Sequence, residues 1–159
     1  SCPARYALAE LVNIHDKAIV FEPIHKVVFN TVNAGFISEA EAFFADYIGE
    51  GKEITLICGK EEKTLHLKDM TLGELIAAAD RFAEGWVAAH GGRIDYVHGD
   101  EEAAALGRQD GCFSLLLPPM SKAELFPGLT KSGPFPKKSF SVGHARDKRY
   151  YLESRRLSE

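Results

Sequence analysis

The chain has 159 residues, 45 % of them apolar and 26 % charged, a size and balance that suit one folded domain with a single core. No apolar run approaches the ~18 residues of a membrane span and no secretory leader pattern is present, so a membrane partner is not expected. The net charge of −4 argues against a general nucleic-acid binder, but it hides an asymmetry: residues 131–159 hold eight of the 19 Lys/Arg against three acidic residues, whereas residues 1–130 hold 11 basic and 20 acidic.

In chain order, residues 4–14 are apolar and read as helix or strand. Ala18 to Phe29 is rich in Val, Ile and Phe and contains Pro23, which a helix interior would not tolerate. A strand pair interrupted near residues 13–17 is expected, with Pro23 at an edge or bulge. Three capping boxes then mark helix starts: Ser38 to Glu41, Thr71 to Glu74 and Ser121 to Glu124. The first helix should present Phe43, Phe44, Tyr47 and Ile48 and end at Gly49. The second, the longest, should present Leu72, Leu75, Ile76, Ala79, Phe82, Ala83, Trp86 and Val87 and stop at Gly91-Gly92. The third should be short and broken by Pro127.

Glu53 to Asp69 alternates as a hairpin across a Gly59-Lys60-Glu61-Glu62 turn. Arg93 to Val97 and Cys112 to Leu117 read as short strands, with a helix between them capped by Asp100. Residues 131–136 read as a loop-like linker. The tail should give one strand near Ser139 to Val142 and another across Tyr150 to Leu157. Strands and helices mix without a strict βαβ repeat, which predicts a single α+β domain: a mixed, mainly antiparallel sheet with helices packed on one face.

Three constellations carry chemistry. In Phe135-Pro136-Lys137-Lys138-Ser139, two lysines and a hydroxyl follow a rigid loop, a pattern suited to a phosphate. In Arg146 to Arg156, Lys148 and Arg149 precede Tyr150 and Tyr151, a basic and aromatic mix that serves phosphate or RNA contact, or a plain amphipathic edge strand. In Glu22-Pro23-Ile24-His25-Lys26, His25 shares a strand face with Val27 and Phe29, either as a satisfied core histidine or as a proton carrier. The six histidines show no metal-type spacing, so no metal site is expected; nothing identifies a cofactor. No nucleophile elbow, Walker loop or dinucleotide fingerprint occurs. Cys2, Cys58 and Cys112 are few, odd in number and far apart, as expected of reduced thiols in a cytoplasmic protein.

These stretches resemble, in order, a bacterial and archaeal family known as domain of unknown function 1015. The resemblance is carried by Pro3 to Asn13, Glu22 to Phe29, Tyr96-Val97-His98-Gly99-Asp100, Leu117-Pro118-Pro119-Met120, Pro136-Lys137-Lys138-Ser139 and Lys148 to Glu153. It implies that the chain is the C-terminal part of a longer protein whose upstream Asp-Gly-Asn-His or Asp-Gly-His-His type motif resembles those of ParB-like and free-serine-kinase proteins. Family members tend to be encoded beside serine-biosynthesis enzymes, which implies a small phosphorylated metabolite. His25 and Lys26 match the family's Pro-x-His-Arg pattern, with Lys26 where Arg is commoner; that exchange keeps the charge and loses the bidentate fork. Lys138 and Ser139 match its Pro-x-Lys-Ser/Thr pattern.

The expectation is a domain that binds a phosphorylated metabolite or nucleotide, acting as a serine-pathway kinase or phosphatase when full length. Lys138, Ser139, Lys148, Arg149 and Lys26 would hold phosphate, and His25 would position or move a proton. The alternative is a ParB-like nucleic-acid-binding or regulatory module using the basic tail. A structural role as a homo-oligomer remains if both fail.

Overall fold

A computed structural model describes residues 13–144 of the protein. The apolar run around Pro23 forms strand β1 (Phe21–Phe29), in which His25, Lys26, Val27 and Val28 are all buried. Side chains alternate along a strand, so four consecutive buried positions require cover on both faces of the sheet. Antiparallel neighbours β4 (Arg93–His98) and β5 (Phe113–Leu116) flank β1, and the hairpin β2 (Ile48–Cys58) and β3 (Glu61–Leu67) extends the sheet beyond β5. The order is β3-β2-β5-β1-β4, and β6 (Phe140–Val142) pairs with the first three residues of β1. Pro23, which has no N–H to give, stands opposite Phe140 in that short pairing.

The main helical layer covers one face: α1 (Phe36–Phe44), α2 (Leu72–His90) and α4 (Leu125–Ser132). Val28, Phe113 and Leu115 meet Phe36, Phe82 and Trp86 there in one apolar core. The expected α+β fold is thus formed, although not all of its helices pack on one face. A short helix α3 (Asp100–Gly107) lies against the other face, where Ser114 points. Gly107 sets that approach, since a Cβ there would stand 2.3 Å from Ser114 Oγ. Among the described residues no helix is long and apolar enough to cross a membrane.

Several local readings change. The first strand of the expected pair, over residues 4–14, lies outside the described residues apart from its last two positions, and the second forms as β1. Asn13 and Asp16 side chains accept the N–H groups of His15 and Ala18, turning the chain until it reaches β1. Helix α1 starts at Phe36, two residues before Ser38, because Phe36 is buried in the core and Gly35 takes the left-handed φ of 82° ahead of it; the Ser38 hydroxyl donates to the Gly35 carbonyl instead of capping. The helix ends at Phe44 and a 3₁₀ turn over Ala45–Tyr47 leads into β2, so Gly49 lies within a strand. A Cβ at Gly49 would lie 2.5 Å from Lys68 Cα, at the bulge in the β2–β3 register. The hairpin turn is Gly59-Lys60 alone, and Glu61 and Glu62 belong to β3.

The capping box at Thr71 is formed as expected. The one at Ser121 closes a 3₁₀ turn over Lys122–Glu124, and α4 continues through Pro127, its third residue. A first-turn proline has no intrahelical acceptor to lose, so it does not break the helix. Lys131 and Ser132 therefore end α4 and are not linker. Gly99, not Asp100, caps α3.

Candidate functional site

His25 is 1 % exposed, on the α3 face of β1. Its Nδ1 accepts the Leu117 backbone N–H at 3.0 Å, and its Nε2 lies 2.8 Å from Asp100 Oδ1. A ring nitrogen that accepts an N–H carries no proton, which assigns the proton to Nε2, donated to Asp100. Burial pushes the imidazole below its usual range, against the opposing pull of Asp100. His25 is thus a neutral ring held at both ends. The group that meets solvent is Asp100, whose side chain is 75 % exposed at the start of α3.

This predicts a pH effect. The unfolded chain protonates His25 near about pH 6.5, the folded one only lower, so stability is full above that value and falls with falling pH by up to about 1.4 kcal/mol per unit. His25→Gln can serve both partners without titrating. Its urea midpoint should change less than that of the wild type between about pH 7 and 5; equal slopes would exclude His25 as the source.

Beside this pair, Glu22 receives two more imidazoles. His144, past the end of β6, lies against Glu22 Oε1, and His98, at the end of β4, lies against Oε2. Desolvation opposes ionisation of Glu22, but the hydrogen bonds and charges of His144 and His98 outweigh it and hold the carboxyl below its usual range. Glu22, His98 and Asp100, with Pro23 and Gly99, line an open cleft of about 250 Å³. Three histidines and two carboxylates from β1, β4, α3 and the chain after β6 therefore meet at one end of the sheet. The pairing register makes this possible: Ile24 stands opposite His98, and α3 begins two residues later. Such a set can share and transfer protons. Among the described residues no group of three or more His, Cys, Asp or Glu is arranged to hold a metal ion.

The residues singled out by sequence part company here. Lys26 points away from His25, to the helical face, where its ammonium is fully buried against the Asp80 carboxylate and 5.0 Å from the Tyr96 ring centre. That placement leaves it no access to a phosphate. Lys138 is exposed, with a left-handed φ of 59°, and its charge reaches Asp95 on β4. Ser139 is buried, and its hydroxyl donates to the Pro136 carbonyl at 2.5 Å. Lys148 and Arg149 lie outside the described residues. The sequence reading missed Glu22, His98, Asp100 and His144 as a set. Two of its own segments, Glu22 to Phe29 and Tyr96 to Asp100, hold three of them, and antiparallel pairing of those segments would have brought the three together.

No family model matches the chain, and neither the curated proteins nor the solved structures give a significant match.

Proposed function

We propose that the protein binds a small phosphorylated metabolite or nucleotide at the end of the sheet where β1, β4 and β6 meet. The resemblance to the domain of unknown function 1015 family would make it part of a serine-pathway kinase or phosphatase. The observation that carries this reading is the open cleft lined by Glu22, His98 and Asp100, with His144 paired to Glu22 and the buried His25 paired to Asp100. In a phosphatase step, Asp100 accepts the proton of a water as its oxygen bonds to phosphorus. His98 supplies a proton to the departing alkoxide as the ester bond breaks. Lys138 supplies positive charge from the loop before β6, and His25 is a positioning residue that orients Asp100 through Nε2–H. The free thiols Cys58 and Cys112 suit a reducing, cytoplasmic setting.

The test is a thermal-shift and calorimetric comparison of phosphoserine, ATP and a short duplex DNA on this chain. A small phosphorylated ligand at about 100 times its Kd should add about 2.7 kcal/mol of stability. Lys138→Ala should weaken it about tenfold or more, and His98→Gln should keep binding while abolishing phosphate release followed by ³¹P NMR. Absence of binding by both small molecules overturns the reading. Binding of DNA alone, with a steep salt dependence, replaces it with the nucleic-acid module.

A further inference from the structure

A second cleft, of about 340 Å³, lies on the helical side at the opposite edge of the sheet, between the end of β3 and the exposed face of α2. One of its lining residues is Tyr47, in the 3₁₀ turn before β2. The Tyr47 hydroxyl accepts from Arg81 Nη2 at 3.0 Å, and its ring faces the Lys68 ammonium, 5.2 Å from the centroid. Lys68 also donates to the Asp46 carbonyl at 3.1 Å. One phenol thus holds two cations from different elements on the same cleft. Among the described residues neither Lys68 nor Arg81 has a carboxylate within ion-pair distance.

A third cation, Lys131, reaches the cleft from the end of α4, 3.8 Å from Glu74. The same Glu74 oxygen that Lys131 faces also accepts the N–H and the hydroxyl of Thr71 in the capping box. Asp69 is the other acidic residue in the lining, so cations exceed carboxylates there. Met70 and Ala77 add an apolar wall. Some surface cations on this chain pair with acids, as Lys63 does with Glu41 and Arg108 with Glu62. Here two are oriented by an aromatic side chain and left facing an open space of small-molecule size.

We propose that this cleft is a binding site for a small oxyanion with an apolar or aromatic body, such as an aryl phosphate. Arg81 supplies a planar fork for two oxygens, Lys68 and Lys131 supply point charge, and Tyr47 with Met70 contacts the body. None of its residues takes part in the histidine and carboxylate site.

Phenyl phosphate and inorganic phosphate are titrated into the whole chain at constant ionic strength, read by amide chemical shifts and by calorimetry. Phenyl phosphate should bind about tenfold more tightly than inorganic phosphate, for the ring face it buries. The largest shifts should fall on Tyr47, Lys68 and Arg81. Arg81→Gln should weaken binding about tenfold or more. Tyr47→Phe, which keeps the ring under Lys68 and frees Arg81, should give a smaller loss. In Lys138→Ala the shifts on Tyr47, Lys68 and Arg81 should persist, which separates this site from the other. Arg81 is exposed, so its variant folds, and Lys68→Gln serves as a second check. Unchanged affinity in both Arg81→Gln and Lys68→Gln, or shifts confined to His98 and Lys138, would overturn the proposal.

Discussion

Asp80→Ala should destabilise the protein by about 3–5 kcal/mol, more than an ordinary ion-pair loss, because it strips the counter-charge from a lysine with no route to water. Lys26 is 0 % exposed, flanked along β1 by His25 and Val27, and its ammonium meets the Asp80 carboxylate from α2 and the Tyr96 ring from β4. Burial lowers the lysine's pKa, and the hydrogen bond to Asp80, its charge and that of Glu84 act in the opposite direction. Without Asp80, either the ammonium stays charged and unpaired or it gives up its proton. The unfolded chain keeps that proton up to about pH 10.4, so the deficit is largest near neutrality and shrinks as pH rises toward that value. Urea unfolding at pH 7 and near pH 10 measures both. The double change Lys26→Met with Asp80→Leu should sit close to the wild type, since an apolar pair of similar volume avoids the desolvation penalty. An Asp80→Ala midpoint equal to the wild type's would show that the pair carries no stability.

Phe36→Ala should cost a similar amount, about 3–5 kcal/mol, by opening a cavity under α1. Phe36 is 1 % exposed and stacks on Phe113 of β5, with ring centres 3.9 Å apart and planes at 19°. It meets Trp86 edge-on at 5.8 Å and Phe82 at 5.9 Å. Three elements therefore lean on one ring: α1 through its own backbone, α2 through Phe82 and Trp86, and the sheet through Phe113. Trp86 is fixed in turn by its indole N–H, which donates to the Thr31 hydroxyl at 2.9 Å. The surroundings are too constrained to collapse into the void, which places the cost toward the upper part of the range. Phe36→Leu should lose less, because it refills most of the volume without the aromatic geometry. Equilibrium denaturation compares the two; equal midpoints for wild type and Phe36→Ala would mean that α1 docks without this ring.

The elements most legible in the sequence are those whose signals are local. The Thr71 capping box, the 3.6-residue spacing of Leu72 to Trp86 and the Gly91 stop define α2 without reference to any other segment. The alternation on either side of Gly59-Lys60 defines the hairpin likewise. Ser38 shows the limit. Its Ser-x-x-Glu pattern is a sound start signal, yet burying Phe36 outweighs a cap and draws the helix start back two residues.

The chemistry of neighbouring residues was less legible still. Strand alternation, legible in the sequence, sends His25 and Lys26 to opposite faces, but that one meets Asp100 and the other Asp80 was not legible there. Composition and periodicity by themselves determined an antiparallel α+β domain, its longest helix, its hairpin and the strand that carries His25. Tertiary structure alone decided which of those residues meet. Glu22 and His144 are 122 positions apart, His25 and Asp100 are 75, and Tyr47 and Arg81 are 34. Hydrophobic patterns specify which face of an element is buried, but strand register and helix placement specify which polar groups share a cleft, and those are set by packing across the whole chain.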